Sequence, residues 1–80
     1  MKKTLLFRSN KTSIKVYRTY LIAITSQKDE LIVAYTHIKE CFINQNIDLK
    51  PSLLVYLAKQ FPLYIIDSRG KTLAKVSIKS

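Results

Sequence analysis

Residues 13–25, SIKVYRTYLIAIT, decide the predicted fold of this chain. Val, Ile, Tyr and Thr fill most of the stretch, and such side chains favour extended backbone. Because successive strand residues point to opposite sides, Ile14 and Val16 face a core, whereas Lys15 and Tyr17 face solvent. One face of the predicted sheet is therefore apolar and the other carries cations and aromatic rings.

The middle of this stretch does not fit a single straight strand. Arg18 falls on the apolar side, and thirteen residues exceed the usual strand length of about 5–6 residues. A bend or bulge at residues 18–19 would account for both observations. It would also reverse the alternation beyond it, so that Tyr20 turns outwards and Leu21 turns inwards.

A first hairpin is predicted between residues 4–9 and this stretch. Asn10 and Lys11 are suited to a two-residue turn, since Asn tolerates positive φ. The resulting register places Phe7 opposite Ile14 and Leu5 opposite Val16.

A last hairpin is predicted from residues 63–67 and 72–78. Its turn contains Gly70, the only glycine in the chain, where a left-handed backbone conformation costs least. This turn places Tyr64 opposite Lys75 and Ile65 opposite Ala74.

Two helices are predicted between the hairpins. The first begins at Ser26, a suitable N-cap, and runs to about residue 45. Its apolar stripe has the 3–4 spacing of a helix and consists of Leu31, Ala34, Tyr35, Ile38, Cys41, Phe42 and Gln45. The second begins with Asp48 as its cap and Pro51 in its first turn, and it ends at Pro62. Its buried side consists of Leu53, Leu54, Leu57, Ala58 and Phe61.

The element order is therefore ββααββ in one α+β domain covering residues 1–80. Two hairpins form a four-stranded antiparallel sheet, and both helices pack on one face of it. The charge is distributed unevenly along this order. The chain has 14 Lys and Arg against 5 Asp and Glu, for a net charge of +9. Nearly all of the excess lies in residues 1–25 and 68–80, neither of which contains an acid.

Composition also limits the class of function. One Cys and one His exclude a disulfide framework and a multi-Cys or His-based metal site. One Gly excludes a glycine-rich nucleotide loop, so no cofactor is expected. Charged residues interrupt the apolar runs well below the roughly 20 residues of a membrane span, and Arg8 interrupts a signal-peptide-like start. A cytoplasmic protein without membrane contact is predicted.

The basic sheet face predicts a non-enzymatic binding protein whose partner is nucleic acid or a ribonucleoprotein. Cations contact phosphates, and aromatic rings stack on unpaired bases. RNA and DNA are not distinguished. The candidate nucleic-acid-binding residues are Arg8, Lys11, Lys15, Tyr17, Arg18, Tyr64, Arg69, Lys71, Lys75 and Lys79.

Other functions stay open at this point. A small inhibitor or accessory factor, of the kind that phages and mobile elements encode, would use the predicted helical face, with Ile32 and Ile43 at its rim. A homodimer through open strand edges or through the helices is a further alternative. A ribonuclease-like toxin would use Tyr, Lys and Arg of the sheet, but it needs an acid–base pair that the sequence does not show. Separately, His37 and Glu40, three residues apart on the first predicted helix, could act as a general base oriented by a carboxylate.

Overall fold

The structure is a computed structural model that describes residues 1–76. Seven strands, one 3₁₀ turn and one α-helix follow one another along this part of the chain. In order, they are β1 (Lys3–Phe7), β2 (Ser13–Val16), β3 (Tyr20–Ile24), β4 (Glu30–Ala34), the 3₁₀ turn (Tyr35–His37), β5 (Ile38–Asn44), α1 (Pro51–Gln60), β6 (Leu63–Ile66) and β7 (Thr72–Lys75).

Sheet A contains four strands in the order β1-β5-β6-β7. β5 pairs in parallel with β1 on one side and with β6 on the other, and β7 completes the sheet antiparallel to β6. Leu5, Cys41 and Leu63 lie side by side in this register and are all buried. The inner face of sheet A is therefore continuous and apolar across its three parallel strands.

Sheet B is the antiparallel meander β2-β3-β4. Ile14 pairs with Ala23, and Ala23 pairs with Leu31. Ile14, Leu21 and Ala23 belong to the buried core that they share with sheet A and with Leu57 of α1. The two sheets and the helix thus enclose one hydrophobic core.

The predicted fold class is wrong. Sheet A mixes parallel and antiparallel pairs, sheet B is separate, and residues 1–76 contain one α-helix. The first predicted helix, over 26–45, is instead β4, the 3₁₀ turn and β5. Because this segment is rich in apolar residues, some of them fall at a 3–4 spacing by chance. β5 lies between two strands with Ile38, Cys41 and Ile43 buried, and such interior strands are apolar at more than every second residue.

The first predicted hairpin is also wrong. β1 pairs with β5, with Leu5 beside Cys41 and Phe7 beside Ile43, and β2 pairs with β3. The turn at residues 9–12 does form, since the Thr12 N–H donates to the Ser9 carbonyl at 3.2 Å. It leads the chain out of one sheet and into the other. The sequence of a turn therefore does not determine whether the strands on either side of it pair with each other.

Three local predictions are confirmed. The last hairpin has the expected pairs Tyr64–Lys75 and Ile65–Ala74, and beyond Ile65 the register shifts so that Ile66 lies opposite Thr72. The bend within 13–25 is the turn between β2 and β3, and beyond it Leu21 is buried. The second predicted helix is α1, with Pro51 in its first turn, although its N-cap is Lys50 and not the predicted Asp48. Residues 77 and 78 of the predicted last strand lie outside the described residues.

Candidate nucleic-acid interface

The carboxyl ends of β1, β5 and β6 meet at one edge of sheet A because these strands run parallel. Arg8 follows β1, Asn44 ends β5 and Asp67 follows β6. The turn from β6 to β7 therefore lies beside the end of β1, although about 60 residues of chain separate them.

Asn44 joins the three chain segments at this edge. Its side chain is 1% exposed. The Nδ2 group donates to the Arg8 carbonyl and, at 3.3 Å, to the Ser68 hydroxyl, while Oδ1 accepts from the Asn46 N–H at 2.8 Å. All the polar atoms of the buried amide are thereby satisfied, which fixes the backbone of Arg8 relative to the β6–β7 turn.

The β6–β7 turn is closed by Asp67. Its Oδ1 accepts from the Arg69 and Lys71 N–H groups, both at 2.9 Å. The hydrogen bond from the Lys71 N–H, helped by the one from Arg69, lowers the pKa of the Asp67 carboxyl below its usual value. Gly70 completes the turn at φ +89°, in the region that side chains other than glycine seldom adopt.

The Arg8 side chain lies across this turn. Its Nη2 is 3.5 Å from the Ser68 carbonyl oxygen, and its Nε is 3.5 Å from the point where a Cβ on Gly70 would stand. Arg69 and Lys71, on either side of Gly70, are both exposed, as is Arg8. These three cations, Arg8, Arg69 and Lys71, are called the turn cluster below.

Tyr64 and Lys75 form a second group on the outer face of sheet A. The Tyr64 ring stacks on Phe42 of β5, with centroids 4.9 Å apart and planes 15° from parallel. The Lys75 Nζ lies 5.8 Å from the Tyr64 centroid. Since β6 lies between β5 and β7, the two neighbours approach Tyr64 from opposite sides. The faces of this ring are occupied within the protein, and a base would have to displace Lys75 to stack there.

The turn between β2 and β3 carries a third group, Tyr17 and Arg18. Tyr17 stacks on Tyr20 with centroids 4.8 Å apart and remains 41% exposed. Two hydroxyls hold the backbone of the turn: Tyr35 donates to the Tyr17 carbonyl, and Tyr56 donates to the Arg18 carbonyl at 2.6 Å. Burial raises the pKa of the Tyr35 phenol to about 12, so this hydroxyl remains a donor at neutral pH.

The sequence-predicted residues therefore do not form one continuous face. Tyr35 precedes β5 and Asn44 ends it, so the group at the β2–β3 turn and the turn cluster lie at opposite ends of that strand. Lys15 is exposed on β2 of sheet B, and Lys11 is exposed in the turn after Arg8. Lys79 lies outside the described residues.

Sequence reasoning missed Asn44, the residue that fixes the turn cluster. The run Asn44-Gln45-Asn46 reads as a polar helix end when residues 26–45 are taken as a helix. An Asn at the end of a buried strand would have indicated a structural amide, but the strand itself was not recognised.

The two candidate acid–base side chains, His37 and Glu40, do not lie where the sequence predicts. His37 lies in the 3₁₀ turn and Glu40 in β5, so they do not share a helix face. The Glu40 carboxylate accepts from the Thr4 hydroxyl at 3.2 Å. Cys41 is fully buried, and burial raises the pKa of its thiol to about 12.

The predicted rim of a helical face is also revised. Ile43 is 1% exposed in the core, whereas Ile32 is 62% exposed on β4. Because β4 forms an edge of sheet B, Ile32 belongs to a strand edge and not to the predicted helical face.

Within residues 1–76, no group of three His, Cys, Asp or Glu side chains is arranged to hold a metal ion. In the same part of the chain, no helix combines the length and apolar character needed to cross a bilayer.

The fold places the chain in a class of two-sheet α+β domains with a mixed four-stranded sheet. No family model and no curated protein sequence matches it. Solved structures do match. One is a chain of the partial Cas6-RT-Cas1–Cas2 complex, with a TM-score of 0.78 and 15% identity over 99% of this chain. Another is a Cas1 protein from Thermotoga maritima, with a TM-score of 0.72 and 12% identity over 99% of this chain.

These similarities concern the fold. The chain spans about a quarter of the solved chains that it matches, 24% of the first and 25% of the second. The architecture described here is thus also found as one part of longer chains.

Proposed function

We propose that this protein is a non-enzymatic module that binds nucleic acid within a nucleoprotein assembly. The observation that carries the proposal is the convergence of cations from distant parts of the sequence. Arg8, from the basic amino-terminal segment, lies on the turn that carries Arg69 and Lys71. The one carboxylate of that turn, Asp67, accepts hydrogen bonds from the backbone. It offsets one of the three positive charges and leaves a local excess of positive charge for a ligand.

The structural comparisons support the same proposal. The similar chains come from CRISPR-associated proteins, one of them in the partial Cas6-RT-Cas1–Cas2 complex. Since this chain corresponds to about a quarter of such a chain, we assign to it binding within an assembly and not a complete reaction.

Fluorescence anisotropy with labelled single-stranded RNA and duplex DNA tests this function. We expect binding that persists at physiological salt and weakens as salt rises, since each phosphate contact releases condensed counterions. Binding restricted to low salt would contradict the proposal, because any polycation of charge +9 behaves in that way. A preference for either ligand would decide between RNA and DNA.

A matched pair of triple variants locates the interface. The first replaces the turn cluster by Arg8→Gln, Arg69→Gln and Lys71→Gln. The second replaces three other exposed cations by Lys28→Gln, Lys50→Gln and Lys59→Gln. Both lose three charges, so only a localised interface makes the first variant bind much more weakly than the second. Equal losses would exclude the turn cluster as the interface.

A protein-binding accessory role is the second candidate, favoured by the apolar edge of sheet B. Leu31 and Ile32 are 43% and 62% exposed on β4, and an edge strand offers unpaired backbone groups to a partner. If this edge binds a protein, Ile32→Lys weakens the complex, and the complex survives moderate salt. Unchanged affinity of Ile32→Lys for a purified partner would exclude this edge.

A further inference from the structure

We propose that the turn cluster is a preformed site for one phosphate group of a nucleic-acid backbone, and that it reads neither the base nor the sugar. The inference rests on the proposed function and specifies its ligand. Three features carry it: Asn44 holds the backbone of Arg8, the Asp67 Oδ1 accepts from the backbone of the turn, and within residues 1–76 no aromatic face is free beside the site.

Asn44 fixes the backbone of Arg8, and the Arg8 side chain contacts the β6–β7 turn. The buried Asn44 amide holds the Arg8 carbonyl and the Ser68 hydroxyl together. Gly70 lacks a side chain at the point that the Arg8 guanidinium approaches to 3.5 Å. A guanidinium that is already placed loses less conformational freedom on binding, and its planar fork matches two phosphate oxygens.

The side chains of the turn, and not its backbone, are available to bind the phosphate. The N–H groups of Arg69 and Lys71 both donate to Asp67, so they are not available to an external anion. The Arg69 guanidinium and the Lys71 ammonium are exposed and supply the remaining charge. A phosphodiester carries one negative charge spread over two free oxygens, which suits one bidentate Arg and flanking cations.

Within the described residues, no aromatic ring beside the site is free to stack on a base. The nearest part of the outer face of sheet A has its Tyr64 ring between Phe42 and Lys75. Tyr17, whose ring is partly exposed, lies at the opposite end of β5. Contact limited to phosphate makes the affinity independent of base sequence and of the 2′-hydroxyl.

Chemical shifts of the arginine side chains in ¹H–¹⁵N NMR test the anion site directly. Titration with inorganic phosphate at constant ionic strength is expected to give saturable shifts at the Nε–H groups of Arg8 and Arg69. Chloride at the same ionic strength is the control and is expected to give none of these shifts. Absence of saturable shifts with phosphate would overturn the proposal.

Three labelled strands of equal length test whether the site contacts the phosphate, the sugar or the base. They are DNA, RNA of the same sequence, and a deoxyribose-phosphate strand without bases. We expect their affinities to agree within about threefold. Arg8→Gln should lower the salt slope for single strands by about 0.7, the value for one phosphate contact. Arg8→Lys, which keeps the charge without the fork, should retain the slope and bind more weakly, and the control Lys50→Gln should retain both.

The outcomes separate the two proposals. If DNA or RNA binds at physiological salt but the strand without bases binds more than tenfold more weakly, the phosphate-only site is wrong and the proposed function stands. If phosphate shifts the NMR signals of the turn cluster but no strand binds at physiological salt, the anion site stands and the proposed function is wrong. An Arg8→Gln slope equal to that of Lys50→Gln removes Arg8 from the site.

Discussion

At the scale of single residues, Asn44 shows how one buried amide organises a surface. Its three hydrogen bonds join the ends of β1 and β5 to the β6–β7 turn. None of these partners is near it in sequence except Asn46. The exposed cations of the turn cluster could be named from composition and turn chemistry, whereas the residue that places them could not, because its role depends on which strands are neighbours.

Replacing Asn44 should destabilise the protein. In Asn44→Ala the Arg8 carbonyl and the Asn46 N–H lose their partner and a small cavity remains, which should cost about 2–4 kcal/mol of unfolding free energy. Urea denaturation followed by circular dichroism measures this change. Asn46→Ala is the control, since only the backbone of Asn46 is used, and it should stay within about 0.5 kcal/mol of the parent. Equal stability of the two variants would contradict the role of Asn44.

Cys41 should be unreactive in the folded protein. With a pKa of about 12, only about one thiol in ten thousand is ionised at pH 8, and the side chain is fully buried. Reaction with a disulfide reagent such as DTNB should therefore be slow in native buffer and complete within the mixing time in concentrated guanidinium. Rapid labelling of the native protein would show that β5 opens readily at Cys41.

At the scale of elements, segment 26–45 shows the limit of periodicity. Its apolar residues fit a helical stripe, yet the chain makes β4, a 3₁₀ turn and β5. The β-branched residues Ile32, Val33, Ile38 and Ile43 favoured strands, and only the pairing partners decide between the two interpretations. The last hairpin and two of its residue pairs were predictable because Gly70 and the two strands around it are local in sequence, whereas the register shift beside Ile66 was not.

The outer face of sheet A should show coupling between neighbouring strands. Phe42 and Tyr64 stack at 4.9 Å across β5 and β6. A double-mutant cycle with Phe42→Leu, Tyr64→Leu and the double variant should give a coupling of about 0.5–1.5 kcal/mol in unfolding free energy. Phe42→Leu with Leu73→Ala, on the exposed strand β7, is the comparison pair and should be additive. Additivity in both cycles would mean that the stacking contributes nothing to stability.

At the scale of the whole molecule, the charge of +9 on 80 residues should itself lower stability. Like charges repel more strongly in the compact state than in the unfolded chain, and salt screens this repulsion. We expect Tm to rise as sodium chloride increases from about 10 to 300 mM, where the Debye length falls from roughly 30 Å to below 8 Å. Scanning calorimetry in a dilute cationic buffer measures Tm at each salt concentration. A Tm that falls over this range would show that attractive charge pairs dominate instead.

The pairing of β1 with β5 also determines the order in which the molecule assembles. Leu5 lies beside Cys41, and the whole of sheet B is contained in the connection between the two strands. The strands of sheet B are neighbours in sequence, so their pairing closes only short loops. The pairing of β1 with β5 closes a much longer loop, because all of sheet B lies between them. Folding should therefore take milliseconds to seconds, as is typical of non-local pairing. The edge to which Arg8 belongs is completed last, when the β6–β7 turn reaches Asn44, so the positive surface is assembled only in fully folded molecules.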